Sequence, residues 1–288
     1  MKLKEYPASL WTSHRLSRLP HDLLHRRSDI TLPLIVSLTS IPSRLGRLHL
    51  TIRSLLAGAQ KPERVVLWLN DALRGALPDS LRRMEGPLFE IRFAGLTSSH
   101  RKLVHALAAF PGATIVTCDD DVMYDSTWLV RLHNDHLRHP DSVIAHQCRR
   151  ISYDEAGSLL PYRQWPTETR TDVAARELMP VGYGGVLYPP DCLHGDVCNA
   201  DLFLTLAPGA DDIWFKAMSL LRGTAVRRSS QPGDKPVPII GSQSVSLQQT
   251  NIGLDRNREQ WEAVSAHYSI PRVDRVSATP PGTDLRDA

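Results

Sequence analysis

Strands alternate with helices along the first half of the sequence. Four short runs bounded by polar turns are predicted to be strands, and the apolar runs at 30–37 and 65–69 are typical of strands buried in a sheet. The four runs lie at 30–37, 65–69, 89–93 and 113–118. Between them, apolar residues recur at three- and four-residue spacing in 45–56 and 100–110, which predicts amphipathic helices. Parallel strands need such crossovers, so the pattern predicts an α/β fold with a mostly parallel central sheet flanked by helices.

The second half of the sequence is less regular. A strand is predicted at 143–148. A glycine-rich segment at 181–188 contains Gly182, Gly184 and Gly185, which allow the backbone to approach a ligand closely or to take positive φ, and a strand kinked for packing is the alternative. An acidic pair at 211–212 opens an amphipathic helix, and residues 227–238 form a turn-rich loop. We expect this half to build the second wall of a binding site.

The composition excludes several classes of protein. Of the 288 residues, 42% are hydrophobic and 23% charged, which indicates neither a disordered nor a fibrous chain. The formal net charge of +3 is too small to predict nucleic-acid binding. The four cysteines form no CxxC pair, so a zinc ribbon and a disulfide framework are both disfavoured and a reducing compartment is expected.

Three consecutive aspartates, Asp119, Asp120 and Asp121, directly follow the strand predicted at 113–118. In an α/β sheet the carboxyl ends of the strands border the ligand crevice. In an extended chain the first and third of these side chains point to one side and the second to the other. Two like charges ~4 Å apart repel by about 4 kcal/mol at an effective dielectric of 20, so the cluster needs a cation, hydrogen-bond donors or a bound proton. Carboxylate oxygens suit Mg²⁺ or Mn²⁺, and a solvated acidic turn or a helix cap is the alternative.

The order of these motifs resembles the glycosyltransferases with the GT-A fold, in which an aliphatic strand, four strands into an α/β chain, ends in an Asp-x-Asp motif. The first βαβ unit of that fold is similar to the opening IVSLTSIPSRLGRLHLTIRSLLAGAQKPERVVLWLND, and its basic helix to HRKLVHALAAF. Its acceptor-side glycine segment and later acidic helix start are similar to GYGGVLYP and ADDIWFKAM. The resemblance covers roughly residues 30–258, and it depends on the order and spacing of the motifs rather than on any single one.

On the donor side, the resemblance implies that Asp119 and Asp121 form the metal site, with Asp121 as ligand and Asp119 facing the ribose or a metal-bound water. Because all three positions are aspartate, a pair shifted by one residue stays open and Asp120 stays a candidate. In this family the turn after the first strand lines the nucleotide site, and a basic residue of the basic helix lies beside the diphosphate. The donor-binding candidates are therefore Thr39, Ser40, Arg44, Arg101, Lys102, Asp119 and Asp120.

On the acceptor side, the resemblance implies a catalytic carboxylate at the later helix start. In inverting members of the superfamily such a group takes the proton of the acceptor hydroxyl. Asp211 and Asp212 match this position, and Asp212 is the preferred base. Helix capping is the alternative role of an aspartate here. In an enzyme that retains configuration, the pair would instead position the acceptor or stabilise a cationic sugar.

The resemblance implies one GT-A domain over residues 30–271, with a nucleotide-sugar-binding half at 30–125 and a smaller acceptor-binding half at 126–271. An N-terminal arm at 1–29 and a flexible tail at 272–288 flank it. The implied reaction moves a hexose-type sugar from a nucleotide-diphosphate donor, expected to be a UDP-sugar, to a hydroxyl of a glycan or glycolipid acceptor. Mn²⁺ or Mg²⁺ would be the cofactor, and cell-surface polysaccharide synthesis the setting.

Three other functions compete with this expectation. A phosphatase of the haloacid-dehalogenase type needs Thr or Val at the end of its Asp-x-Asp-x-Thr/Val motif, where Met123 or Tyr124 stands here. Sugar nucleotidyltransferases share a GT-A-like sheet but need a glycine-rich turn after the first strand, and residues 39–44 contain no glycine. A non-catalytic carbohydrate-binding protein with the same fold is the third alternative.

The segment at 11–27 mixes leucines with arginines. It predicts an arm packed on the domain or, as the alternative, a basic amphipathic helix on an anionic membrane, interrupted at Pro20. Charge or proline interrupts every candidate bilayer-spanning stretch, and residues 1–7 lack the apolar core of a secretory signal. A cytoplasmic location is expected, with peripheral contact at the inner face of the membrane as the alternative.

Overall fold

A mostly parallel sheet of seven strands forms the centre of the computed structural model, which describes residues 3–27, 30–242 and 255–274. In chain order the strands are β1 Thr31–Thr39, β2 Lys61–Asn70, β3 Phe89–Ala94, β4 Thr114–Thr117, β5 Val122–Met123, β6 Val143–Ala145, β7 Cys148–Arg150, β8 Leu178–Pro180, β9 Val186–Tyr188, β10 Val226–Arg228 and β11 Val237–Pro238. The α-helices are α1 Tyr6–Ser17, α2 His21–His25, α3 Leu45–Leu56, α4 Asp79–Arg82, α5 Arg101–Ala109, α6 Trp128–Arg138, α7 Ala200–Leu206, α8 Asp211–Arg222 and α9 Arg256–His267.

The strand order in the sheet is β10-β6-β9-β4-β1-β2-β3. Strand β9 is antiparallel to its neighbours β4 and β6, and the other neighbouring pairs are parallel. The predicted α/β class, with a mostly parallel sheet flanked by helices, is confirmed.

Alternate residues of the strands face two different layers of helices. Val66 and Ile115 pack in one cluster with residues of α5, α8 and α9. Leu67 and Val116 pack in a second cluster with residues of α3 and α6. All four side chains are fully buried, which explains why these strands appear in the sequence as continuous apolar runs rather than as alternating ones.

The second half differs from its prediction in two places, at 143–148 and at 227–238. The strand expected at 143–148 is divided between β6 and β7, and only the last three residues of 181–188 form a strand, β9. The loop predicted at 227–238 begins in β10 and ends in β11, so this prediction was wrong at both ends. Strand β10 has two arginines in three residues and lies at the edge of the sheet, so it lacks the apolar pattern that indicates a strand.

The N-terminal arm contains α1 and α2, which are separated at Pro20 as predicted. Helix α1 begins before the predicted segment, at Tyr6, and packs against α3 and β11. Among the residues described, no helix has both the length and the apolar character that crossing a bilayer requires. Most of the tail predicted at 272–288 lies outside the described residues, which end at 274.

Candidate functional site

The acidic triplet begins where β4 leaves the sheet. Strand β4 pairs with β1 as far as Thr117, and the aspartates follow one residue later. The side chain of Asp119 is 34% exposed, whereas those of Asp120 and Asp121 are only 6% and 14% exposed. The triplet is therefore not a solvated turn. Neither does it cap α6, because the N-cap residue of that helix is Thr127.

Asp120 is held by the turn that follows β1. Ser40 Oγ donates a hydrogen bond to Asp120 Oδ2 at 2.5 Å, and Arg44 Nη1 lies 2.5 Å from Asp120 Oδ1. Thr51 Oγ1, in α3, donates to the Asp120 carbonyl oxygen at 3.0 Å. Burial raises the pKa of Asp120, against the opposing charge of Arg44. Since both carboxylate oxygens have partners within the protein, Asp120 anchors the triplet to the first βα turn.

Asp119 and Asp121 have fewer partners than Asp120. Arg44 Nη2 lies 3.2 Å from Asp121 Oδ2, and Lys102 Nζ lies 3.1 Å from Asp119 Oδ1. Burial, followed by the charge of Asp119, raises the pKa of Asp121 to about 7. Burial and the like charge of Asp119 both oppose ionisation of Asp121, and a bound cation would favour it.

Lys102 connects the triplet to the beginning of α8. Its ammonium group lies 3.1 Å from Asp119 Oδ1 and 2.9 Å from Asp211 Oδ2, and its side chain is 6% exposed. Burial acts to lower the pKa of Lys102, but the charges of Asp119 and Asp211 raise it well above its ordinary value. The lysine is therefore charged and serves as a cation shared by two carboxylates that lie 92 positions apart in the sequence.

Asp211 is fixed from two sides at the first turn of α8. Besides its contact with Lys102, its Oδ1 accepts a hydrogen bond of 2.8 Å from Ser99 Oγ. Burial acts to raise the pKa of Asp211, but the charge of Lys102 overcomes this effect and the pKa is lowered. No side-chain hydrogen bond caps α8, whose N-cap residue is Ala210, so the capping role that was the alternative for this pair is not seen.

Asp212 differs from its neighbour in forming no ion pair with another described residue, although the charge of Lys102 acts on it. Its Oδ2 accepts a hydrogen bond of 2.9 Å from the Gly182 backbone N–H. Burial, and then the charge of Asp211, raise the pKa of Asp212 to about 7. A carboxylate with this pKa can be ionised at neutral pH and still accept a proton readily, as a general base requires.

Gly182 lies so close to the acidic groups that no larger residue has room there. A Cβ atom at this position would lie 2.8 Å from Asp212 Oδ1 and 3.1 Å from Lys102 Nζ. The glycine therefore leaves room for both side chains and presents its N–H to the Asp212 carboxylate. The close backbone approach predicted for the glycine-rich segment is made here to the protein's own carboxylate.

Arg101 organises the turn after β1 rather than the acidic residues. Its guanidinium donates to Thr39 Oγ1, to the Ser40 carbonyl oxygen at 2.5 Å and to the Leu96 carbonyl oxygen at 3.0 Å. Thr39 Oγ1 in turn donates to the Trp68 carbonyl oxygen of β2 at 2.8 Å. The two neighbouring basic residues of α5 thus have different partners: Arg101 holds the turn, and Lys102 holds the acids.

The structure places the sequence-predicted site residues at one end of the sheet, where β1 and β4 end and α5 and α8 begin. These residues are Thr39, Ser40, Arg44, Arg101, Lys102, Asp119, Asp120, Asp121, Asp211 and Asp212. Arg44 joins the turn after β1 to the triplet, and Lys102 joins the triplet to α8. Among the described residues Asp212 forms no hydrogen bond or ion pair with the triplet. The charge of Asp119 acts on it, and the neighbouring Asp211 pairs with Lys102, which in turn pairs with Asp119.

Three further residues support this arrangement and were not predicted from the sequence. The Asp119 N–H donates to Tyr124 Oη at 2.9 Å, and that hydroxyl donates to the Tyr183 carbonyl oxygen at 3.1 Å. Ser242 accepts a hydrogen bond of 3.0 Å from Arg44 Nε through its carbonyl oxygen. No motif marks these positions. The only signal for Tyr124 is that it lies five residues after Asp119, on the far side of β5.

Asp119 and Asp121 fit a divalent cation that takes its other ligands from phosphate and water. Within the described ranges, no group of three or more His, Cys, Asp or Glu side chains is placed to hold a metal ion on protein ligands alone. Mg²⁺ commonly binds to one or two carboxylates together with substrate phosphates and several waters, so two carboxylates are a sufficient donor set. Each of these two carboxylates also has only one cationic side chain within 4 Å among the described residues, Lys102 beside Asp119 and Arg44 beside Asp121.

Comparison with known proteins adds little to this geometry. No protein-family model matches the chain, and no curated protein matches it in sequence. Among solved structures, the chain is similar to 4-diphosphocytidyl-2C-methyl-D-erythritol synthase from Anaerococcus prevotii, with 11% sequence identity and a TM-score of 0.41. The match covers 82% of this chain and 97% of that chain. A likeness of this degree carries no argument about activity, and the α/β class of the chain follows from its own sheet.

Proposed function

We propose that the chain is a metal-dependent glycosyltransferase of the GT-A type, which transfers a sugar from a nucleotide-diphosphate donor to a hydroxyl of a glycan or glycolipid. The observation that carries the proposal is the pair of contacts made by Lys102, 3.1 Å to Asp119 and 2.9 Å to Asp211. These contacts join two acidic groups. The triplet, Asp119 to Asp121, is suited to binding a metal ion and a diphosphate, and the pair Asp211 and Asp212 is suited to proton transfer. Transfer to a hydroxyl needs both groups at once.

On the donor side, Asp119 and Asp121 would hold Mn²⁺ or Mg²⁺, and the turn from Thr39 to Arg44 would face the nucleotide. The cation, when bound, supplies positive charge to the leaving diphosphate. Arg44 adds a fixed cation beside Asp121, and Lys102 adds a second beside Asp119. These groups would favour departure of the diphosphate by stabilising its negative charge. We propose a UDP-sugar as the donor.

On the acceptor side, Asp212 would take the proton of the attacking hydroxyl on a carboxylate oxygen. The Gly182 N–H fixes the orientation of this carboxylate, and the pKa of about 7 keeps it basic enough to act near neutral pH. Asp211 holds Lys102 in place and so positions the donor side. The acceptor in this proposal belongs to cell-surface polysaccharide synthesis, and the reaction takes place in the cytoplasm.

A thermal-shift panel of nucleoside diphosphates, with and without Mn²⁺, tests the donor site. At a ligand concentration of about 100 times Kd, the stabilisation is about 2.7 kcal/mol, which raises the melting temperature by roughly 5 °C in a chain of this size. We expect this rise with one diphosphate, and only when the metal is present. The Asp121→Asn variant should lose it, whereas Asp79→Asn, which alters an aspartate whose side chain is 80% exposed on α4, should keep it.

Failure of every diphosphate to stabilise the protein in the presence of Mn²⁺ or Mg²⁺ would contradict the proposal. Turnover separates the competing functions. A glycosyltransferase releases the nucleoside diphosphate from its donor, and Asp212→Asn should slow this release. A carbohydrate-binding protein releases none. A phosphatase would release inorganic phosphate from a simple phosphate monoester.

A further inference from the structure

The exposed apolar side chains of the protein are concentrated in its N-terminal arm. Eight large hydrophobic residues are exposed among the described parts of the chain, and six of them lie in the first 30 residues. Three of these six are Leu3 at 89%, Trp11 at 66% and Leu10 at 60% exposed. Such a concentration differs from the scattered exposed leucines that are normal on protein surfaces, and it marks an interaction surface.

Helix α1 has the reverse of the usual arrangement for a surface helix. Toward α3 and β11 it buries Ser9 and Thr12, which are 0% and 8% exposed, together with Leu16. Toward solvent it presents Leu10 and Trp11. A helix that needed only to cover its own domain would place the apolar side chains inward. The outward leucine and tryptophan therefore indicate a second contact, outside the described chain.

The charge around these apolar residues is positive. Residues 3–27 contain five arginines and lysines against two acidic residues, and all five cations are exposed. They are Lys4, Arg15, Arg18, Arg26 and Arg27. The Arg15 guanidinium lies over the Trp11 ring, 5.4 Å from its centroid. The tryptophan and the cations thus lie side by side, as in helices that rest in the headgroup region of a bilayer.

We propose that this surface, the arm face, docks on an anionic phospholipid bilayer. The arm face consists of Leu3, Lys4, Leu10, Trp11, Arg15 and Arg18. The leucines and the tryptophan enter the boundary between headgroups and acyl chains, and the cations pair with the anionic headgroups. A second copy of the chain is a poorer occupant, because two such faces would bring like charges together.

The arm face is connected to the acidic triplet through a short series of contacts. Ser9 Oγ donates a hydrogen bond of 2.7 Å to the Pro238 carbonyl oxygen in β11. Strand β11 pairs with β5, and the N–H of the next residue, Ile239, donates to the Asp121 carbonyl oxygen at 2.9 Å. Docking would therefore hold the candidate site close to the bilayer surface. The docking itself does not depend on the proposed reaction.

Sedimentation with vesicles tests the docking. We expect the protein to bind phosphatidylcholine vesicles that contain phosphatidylglycerol and to bind pure phosphatidylcholine vesicles far more weakly, with a loss of binding as salt is added. The Leu10→Ser/Trp11→Ser variant should bind the anionic vesicles on the order of tenfold more weakly. The matched control is Leu137→Ser, which removes a leucine 67% exposed on α6, and it should bind as the unaltered protein does.

Brominated lipid gives a second readout, because it quenches only tryptophans that enter the bilayer. The other five tryptophans are at most 6% exposed, so Trp11 alone can reach the lipid. Fluorescence of the unaltered protein should fall on brominated anionic vesicles. In Trp11→Phe, which keeps an apolar ring, the vesicles should still bind while the quenching disappears.

Three results would overturn the proposal. One is equal binding of the unaltered protein and the double variant to anionic vesicles. Another is quenching that persists in Trp11→Phe. The third is a protein that does not bind vesicles but sediments as a dimer, while the double variant sediments as a monomer. This result would assign the arm face to contact with a second copy of the chain. The thermal-shift panel needs no lipid, so its outcome is independent of all three.

Discussion

Lys102 is a buried cation shared by two carboxylates. Replacing it with an apolar residue would leave both carboxylates without this cation. In Lys102→Met, Asp119 and Asp211 would lose the ammonium group that lies within 3.1 Å of each. We expect the free energy of unfolding to fall by about 3 kcal/mol, since removal of one partner from a buried ion pair leaves an uncompensated charge. Urea unfolding at neutral pH measures this change.

A second substitution serves as the control for that loss. In Lys102→Met/Asp211→Asn the more deeply buried carboxylate also loses its charge, so the double variant should be more stable than Lys102→Met alone. A double variant as unstable as the sum of the two single variants would show that Lys102 acts through packing rather than through charge.

The raised pKa of Asp212 has a consequence for stability that needs no substrate. The pKa is about 7 in the folded protein and ~3.9 in an unfolded chain. Between these values the folded state binds more protons than the unfolded state, so stability contributed by this group is lost as pH rises from about 4 to 7. Urea unfolding across this range should show the unaltered protein losing stability relative to Asp212→Asn, with a constant difference above pH ~7.5.

The same measurement limits the proposed role of Asp212. Asn cannot ionise but can still accept the Gly182 hydrogen bond through its side-chain oxygen. A stability difference that does not change with pH would mean that Asp212 keeps an ordinary pKa, and the assignment of this residue as the base would fail.

The sequence predicts which residues of the site are charged, but not how they pair. The local pattern is enough to place Asp119 to Asp121 at the end of a strand and Asp211 to Asp212 at the start of a helix. The contact of Arg44 with Asp120 spans 76 positions, and nothing local selects Asp120 rather than Asp119 as its partner. Only the packing of β1 against β4 decides which side chain points inward.

At the scale of elements, the turn that contains Gly182 controls the position of the base. An added Cβ would lie 2.8 Å from Asp212 Oδ1, so Gly182→Ala should displace the carboxylate. We expect sugar transfer to fall on the order of a hundredfold, because small misplacements of a catalytic group have large effects. Stabilisation by the diphosphate and Mn²⁺ should fall much less, because the donor-side residue that the Cβ approaches is Lys102, at a longer distance of 3.1 Å and at the end of a flexible side chain.

The control for this variant is Gly46→Ala in α3, where an added Cβ meets no atom within 4 Å. It should leave both transfer and stability unimpaired. Full activity in Gly182→Ala would contradict the assignment of Asp212 as the base, because the carboxylate could then move without consequence.

The elements predicted well are those whose own residues determine their burial. Strands β1, β2 and β4 consist mostly of side chains buried on both faces, and α8 has a clear amphipathic pattern. Strands β7 and β10 are three residues long, and each contains two arginines, so pairing with a distant strand defines them. A strand that has no apolar pattern of its own, and is defined only by its pairing with another strand, cannot be predicted from the sequence pattern.

At the scale of the whole molecule, the fold class was predictable because the alternation of strands and helices extends over many residues. The direction of β9 was not predictable, because a three-residue strand carries no sign of orientation. That direction matters for the site. Because β9 is antiparallel to β4, the start of β9 lies beside the end of β4. The turn at Gly182, which precedes β9, is therefore at the same end of the sheet as the aspartates that follow β4.

Strand β9 also determines how the chain can be divided. It comes from the second half of the sequence but lies between β4 and β6, with partners on both sides. A fragment that stopped at residue 125 would leave one side of β4 without a partner, and exposed apolar strands of this kind invite other chains to add to them. The strands of the two halves therefore form the two sides of one continuous sheet, which meet where β9 pairs with β4.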